Sequence, residues 1–193
     1  MEVLPVEVTT PRLVLRPWRV DDAAALSAAI ERSLDHLRPW MPWVADEPVD
    51  HTTRVERIRA LAAGAAATGD AVYGAFTRTG GEVVGGTGLH RRRGPGVLEI
   101  GYWVHVDHAR QGLASEMVAA LTDVGFADAG VERVEIHHDR ANAASRGVPA
   151  GLGYRFVGEA PDSVDAPGEE GIDCTWAVTR AGWATARAGR AGA

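Results

Sequence analysis

The chain has 193 residues, enough for one domain that buries roughly 70% of its unfolded surface. Its net charge of −6 excludes general nucleic-acid affinity from bulk electrostatics, and one cysteine, Cys174, excludes an internal disulfide framework or thiolate metal cluster. All 20 basic residues are arginine, so a P-loop lysine, a pyridoxal-phosphate Schiff base and any lysine nucleophile are excluded as well.

The opening MEVLPVEVTT has neither a basic nor an apolar leader region, so no signal peptide is expected. No apolar run is long enough to span a membrane, and a cytoplasmic protein is expected. Arg12 to Pro17 alternates like an edge strand. Val20 to Leu34 reads as a helix opened by Asp21 and Asp22. HLRPWMPWV, from His36 to Val44, is broken by prolines and reads as a loop or short irregular helix. Asp50 to Thr68 is a second helix, capped by Asp50 or Thr52 and ended by Gly69-Asp70. Ala71–Arg78, Glu82–Arg91 and Val97–Val106 are strands joined by glycine-rich turns. Then follow a helix over Ser115–Ala129, a strand over Glu132–His138 and a helix over Asn142–Leu152. Strands over Tyr154–Glu159 and Ile172–Arg180 flank an acidic loop from Ser163 to Gly171. Residues 1–183 form one domain in this reading, and 184–193 a disordered tail. The order β-α-α-β-β-β-α-β-α-β-β is a mixed α/β (α+β) layout, with too many consecutive strands for a doubly wound fold.

The most informative stretch is DHARQGLASEMVAAL, Asp107 to Leu121. A strand, a small-residue turn and a helix start make an anion site, because first-turn N–H groups and the positive end of the helix dipole point at one spot. Gly112 and Ala114 let the backbone approach a phosphate closely, and Arg110 adds a fixed positive charge.

RLVLRPW, LRPWMPWV, LEIGYWV, RQGLASEMVAAL, NAASRGVPAGLGYRFVGE and DCTWAVTRAGW follow one another in this order. With them the chain resembles the GNAT acyl-CoA N-acyltransferase superfamily, and within it the RimJ/RimL type of protein N-terminal acetyltransferase. The resemblance implies a central mixed, twisted sheet of about seven strands flanked by about four helices. The superfamily loop pattern is Gln/Arg-x-x-Gly-x-Gly/Ala; Gly112 and Ala114 fit it, and Ala109 departs from its first position.

By the same resemblance the amides of Arg110, Gln111, Gly112, Leu113, Ala114 and Ser115 cradle the diphosphate of acetyl-CoA or another acyl-CoA, without a metal. Trp103, Val104 and Val106 lie along the pantetheine arm, with a backbone N–H near Trp103 or Val104 as oxyanion donor. Arg146 meets a CoA phosphate or is a solvated helix residue. Glu99, at the start of the EIGYW strand, is the candidate base and touches the acceptor. The N-x-x-S unit of Asn142 and Ser145 is a helix cap in its simple reading. In the resembled family its Asn bonds the pantetheine and its Ser protonates the leaving sulfur. Tyr154 is a packing residue or brings a hydroxyl to that sulfur. Trp40 and Trp43 wall the acceptor site or join the core. An α-amine titrates near ~8 and a lysine near ~10.4, so an α-amine asks less of a base. The implied activity is direct acyl transfer to an amine on a protein N-terminus or small molecule; a non-catalytic acyl-CoA sensor is the alternative. A homodimer through strand edges near the C-terminus is plausible by resemblance; no membrane and no direct nucleic-acid partner is expected.

Arg91-Arg92-Arg93 reads as a solvated hairpin edge. His105, His108, His137 and His138 lack the spacing of a zinc set, and Cys174 reads as a buried inert thiol.

Overall fold

The computed structural model describes residues 4–191; the start of the leader reading and the last two tail residues lie outside them. The glycine-rich hairpins build the centre of the sheet: β3 (Ala71–Thr77), β4 (Val83–His90) and β5 (Val97–Val104) pair antiparallel in succession. β1 (Val8–Thr9) and β2 (Leu13–Arg16) extend one side. On the other side lie β6 (Arg133–Asp139), then β8 (Ile172–Thr179), then β7 (Arg155–Pro161) at the edge. The sheet thus has eight strands among the described residues, one more than expected because the two-residue β1 pairs with β2.

Among the described residues one pairing of the sheet is parallel. β5 and β6 stay in register only over Val97–Glu99 with Arg133–Glu135. Beyond Glu99 the two strands part and open a gap in the middle of the sheet. α4 (Leu113–Ala127) crosses beneath β5, packing Met117, Val118 and Leu121 into the core with Leu98, Ile100, Val134 and Ile136. Burial of such side chains is the main stabilising contribution, at roughly 1.5–3 kcal/mol each. Strand alternation turns Glu99, Gly101 and Trp103 to the opposite face. There α1 (Ala23–Arg32) and α3 (His51–Thr68) pack through Leu26, Ile30 and Ile58. Asp50, not Thr52, caps α3: its carboxylate accepts the Thr53 N–H at 2.9 Å.

The single helix expected over Val20–Leu34 is split. A 3-10 turn occupies Val20–Asp22, α1 ends at Arg32, and the short α2 (Leu34–Leu37) follows. Ser33 makes the break because it is fully buried and its Oγ accepts the Val106 N–H at 3.0 Å. β5 likewise ends at Val104, and Val106 opens a 3-10 turn.

The tail expected to be disordered is α6 (Arg180–Ala191). Trp183 is buried and its Nε1 donates to Asp123 at 2.7 Å. Arg190 lies over the Trp183 ring at 4.4 Å and donates to the Leu152 carbonyl at 2.7 Å. The Ala-Gly-Arg composition hid an amphipathic pattern in which one tryptophan supplies most of the contact area. No helix of the described residues is long and apolar enough to cross a membrane.

Candidate active site

The loop after β5 comes first, because its shape is local. Arg110 and Gly112 both adopt positive φ, at 61° and 76°. α4 starts on Gly112 without a side-chain cap, and the first paired amide of the helix is that of Glu116, on the Gly112 carbonyl at 3.1 Å. Among the described residues the N–H groups of Arg110, Gln111, Gly112, Leu113, Ala114 and Ser115 have no protein acceptor. Arg12 braces the turn from outside. Its guanidinium donates to the Gln111 carbonyl at 2.9 Å and to Glu116 at 2.5 Å. In a trans peptide, holding the Gln111 carbonyl on one side turns the Gly112 N–H to the other. Unpaired N–H groups at a helix start fit a diphosphate.

The gap opens along β5, the strand that leads into this turn, and a cleft of about 1070 Å³ lined by Gly101, Tyr102 and Trp103 lies on the α1–α3 side. The His105 N–H donates to the Val84 carbonyl at 2.7 Å. Antiparallel alternation from that bond directs the Trp103 N–H at β4 and the Tyr102 and Val104 N–H groups into the gap. Of the two oxyanion donors expected, the geometry therefore favours Val104. The Trp103 side chain faces the cleft, 5.9 Å from the Trp43 ring. Val106 does not line the coenzyme path with its amide, which is spent on Ser33.

Asn142 caps α5 (Ala143–Leu152): its Oδ1 accepts the Ser145 N–H at 3.0 Å, and its side-chain NH2 is left for a ligand. Ser145 lines the cleft beside Tyr102, a residue sequence reasoning passed over. The Tyr102 hydroxyl lies 2.9 Å from Ser145 Oγ and donates to the Ser145 carbonyl at 3.1 Å. Burial, partly offset by Ser145, pushes the Tyr102 phenol up to about 12, so it stays a proton donor at neutral pH. The signal was in EIGYW: one step along the strand puts Tyr102 on the face opposite Glu99. Arg146 is exposed and meets no carboxylate among the described residues.

Tyr154 is corrected. It is buried away from the cleft, with its hydroxyl 2.6 Å from Thr122 Oγ1 and its ring against Trp183. Burial pushes its phenol up. The Leu-Gly-Tyr step puts this side chain into the α4–α6 core, so it does not reach the thioester.

Glu99 lies in the cleft wall, but its geometry does not suit a base. Arg92 and Arg93 both clamp its carboxylate, Arg93 at 2.6 Å. Burial raises its pKa, yet hydrogen bonds and charge from Arg92 and then Arg93 outweigh this and bring it down to about 2. A carboxylate so stabilised is a poor proton acceptor. Arg92 and Arg93 are thus more than the solvated edge expected, and a contact across a hairpin turn carries no periodic signal. Because the folded carboxylate titrates below its ordinary value, its contribution is complete above about pH 5 and is lost as pH falls towards 2. Glu99→Gln is expected to flatten the acid limb of stability over that window; an unchanged limb in a pH series of thermal melts would contradict the clamp.

One wall of the cleft carries Trp40 and Trp43. Their loop is pinned from two sides. The Gly168 N–H of the acidic loop donates to the Pro39 carbonyl at 2.9 Å, and Glu47, fully buried, pairs with Arg54 at 2.6 Å and Arg57 at 3.1 Å. Arg54 also donates to Ser27 of α1 at 3.0 Å. His137 bridges Asp173 at 2.8 Å and Glu135 at 3.2 Å; burial lowers its pKa, but the two carboxylates prevail and raise it. No group of three His, Cys, Asp or Glu is arranged to hold a metal among the described residues. Cys174 is buried, and burial raises its thiol.

An open amide nest, a parting in the sheet and an aromatic-walled cleft lie on or next to β5. The family model described as an acetyltransferase (GNAT) domain matches residues 12–155, so the chain belongs to the GNAT acetyltransferases. No curated protein is matched by sequence. Among solved structures the chain is similar to Mycobacterium smegmatis RimJ in complex with CoA-disulfide. Identity is 26%, coverage 88% of this chain and 82% of that one, and TM-score 0.73. It is similar in fold to the ribosomal-protein-S5-alanine acetyltransferase of Vibrio fischeri (18% identity, 93% and 99% covered, TM-score 0.74). The same holds for the microcin C7 self-immunity acetyltransferase MccE in complex with acetyl-CoA and AMP (14%, 92% and 98% covered, TM-score 0.81).

Proposed function

We propose that the chain moves an acetyl group from acetyl-CoA to the α-amine of a protein N-terminus. The observation that carries this reading is the unpaired amide nest at the start of α4, a short turn after the strand that borders both the β5–β6 gap and the cleft. The acceptor class is supported by the clamped state of Glu99. The carboxylate that β5 brings to the cleft is tied to two arginines, and an α-amine, roughly a tenth neutral at pH 7, needs a strong base less than a lysine does. The RimJ and S5-alanine relatives support the same class.

In this reading the nest of Arg110–Ser115 holds the diphosphate, and the Asn142 side-chain NH2 holds the pantetheine. The Val104 N–H meets the negative charge developing on the carbonyl oxygen. Ser145 Oγ donates a proton to the departing sulfur and is recharged across its 2.9 Å contact with Tyr102. Trp40 and Trp43 hold the acceptor chain over the gap.

Ser145→Ala is expected to lower kcat about 100-fold while CoA affinity stays unchanged. Tyr154→Phe is expected to leave kcat as it is. Thiol release is to be followed with peptides beginning in Ala, Ser or Met beside a panel of small amines. Peptide turnover well above small-amine turnover supports the reading. Faster turnover of a small amine moves the acceptor class, and CoA binding without thiol release supports the non-catalytic sensor.

A further inference from the structure

Three histidines line the cleft, and two have both ring nitrogens engaged. His137 lies between Asp173 and Glu135. His138 contacts the Asp139 carbonyl through Nδ1 at 2.8 Å and accepts the Trp176 indole N–H on Nε2 at 3.0 Å. His90, the last residue of β4, differs. Its Nδ1 is 3.1 Å from Asp70 Oδ2, and among the described residues its Nε2 has no partner. An ionised carboxylate only accepts, so Nδ1 carries a proton and Nε2 is the nitrogen left to exchange one with a ligand or water. Asp70 is itself fixed, because its Oδ1 accepts the Arg91 N–H at 2.9 Å.

The sheet is cut away to admit this ring. A Cβ on Gly88 would sit 3.0 Å from His90 Nε2, and one on Gly101 3.7 Å from it. The imidazole therefore lies across two glycines of β4 and β5, on the cleft face that carries Trp103. The charged groups around it are Asp70 from the turn after α3, Arg91 and Arg92 beyond its own strand, and Glu99, its cross-strand partner, held by Arg92 and Arg93.

The geometry points to His90 as the general base of the transfer, oriented by Asp70 and acting directly or through one water. This rests on the acetyl-transfer reading. Nε2 takes one proton from the acceptor ammonium and passes it to solvent. The freed nitrogen forms the C–N bond as the C–S bond breaks; Nε2, emptied to solvent, takes the second proton from that nitrogen, and the departing sulfur takes one from Ser145, so the step releases one proton in all. An imidazole held at one nitrogen by a carboxylate can take up and release a proton at the other, as this exchange requires.

The test uses acetyl-CoA and the most active peptide of the panel. His90→Gln is expected to lower kcat/KM at pH 7 on the order of 100-fold with CoA affinity unchanged. Its rate should keep climbing with pH until the peptide α-amine is neutral, whereas the unaltered enzyme levels off earlier. Asp70→Asn should move the acid limb to lower pH, and exogenous imidazole should restore part of the rate to His90→Gly. A His90→Gln enzyme with the original kcat/KM and pH profile overturns the assignment. CoA binding with no thiol release by the unaltered enzyme removes the transfer reading, and this assignment with it.

Discussion

Glu47→Ala is expected to destabilise the protein by about 3–5 kcal/mol, because it leaves the Arg54 guanidinium buried without its counter-charge. In a domain of this size that lowers the melting temperature by roughly 6–20 °C. Both side chains are almost wholly out of solvent, so water cannot replace the lost partner. Arg57 is only half-buried and can swing outward, so the loss centres on Arg54. Replacing both partners, as in Glu47→Leu with Arg54→Leu, is expected to be less damaging than either single change, since no lone charge stays behind. The pair lies under the Trp40–Trp43 wall, so the surviving fraction of Glu47→Ala should show a raised KM for the acceptor and an unaltered affinity for CoA. Thermal melts of the three variants check this. A loss under about 1 kcal/mol for the single change would mean that the pair is solvated and the wall is held by other contacts.

Ala114→Glu is expected to separate stability from binding. A carboxylate in the first turn of α4 lies at the positive end of the helix dipole and adds about 0.3–1 kcal/mol of stability. The same charge and bulk fill the nest meant for two phosphates. An affinity loss of 100-fold or more is expected, about 2.7 kcal/mol in binding free energy. A higher melting point with CoA binding abolished is a pairing that simple misfolding cannot produce. If binding survives, the diphosphate lies elsewhere. Arg12 offers a graded version: Arg12→Gln frees the Gln111 carbonyl and takes the guanidinium from Glu116, which keeps the Thr10 hydroxyl and the residue-12 backbone N–H, so the turn loosens and the affinity falls less steeply.

What the sequence disclosed and what it hid follow the range of the interactions. The amide nest was legible because a glycine loop before an amphipathic helix is a local matter, set by φ at Gly112 and by the absence of a cap. Asn142 and Ser145 were legible for the same reason: a helix start fixes both. The mixed sheet followed from the order of strands and helices and from the family motifs; that it parts after Glu99 came from the structure. Contacts between distant segments were not legible. Arg54 and Glu47 are neighbours across a turn that no periodicity marks. Glu99 looked like a free strand-end carboxylate until Arg92 and Arg93 folded back on it. Tyr102 and Tyr154 carry the same hydroxyl on the same side of the sheet, and only tertiary packing takes the first to Ser145 at the start of α5 and the second to Thr122 and Trp183 in the core. The tail was misjudged because its composition resembles a linker, although Trp183 and Arg190 anchor it.

The most direct test of the central claim is calorimetry with CoA and with pantetheine, which lacks the diphosphate, on the unaltered protein and on Ala114→Glu. The expected result is saturable 1:1 binding of CoA far tighter than that of pantetheine, with the two ligands brought to similar weak affinity in the variant. Equal affinities for both ligands in the unaltered protein, or no uptake of CoA at millimolar concentration, would contradict a diphosphate held by the Arg110–Ser115 amides.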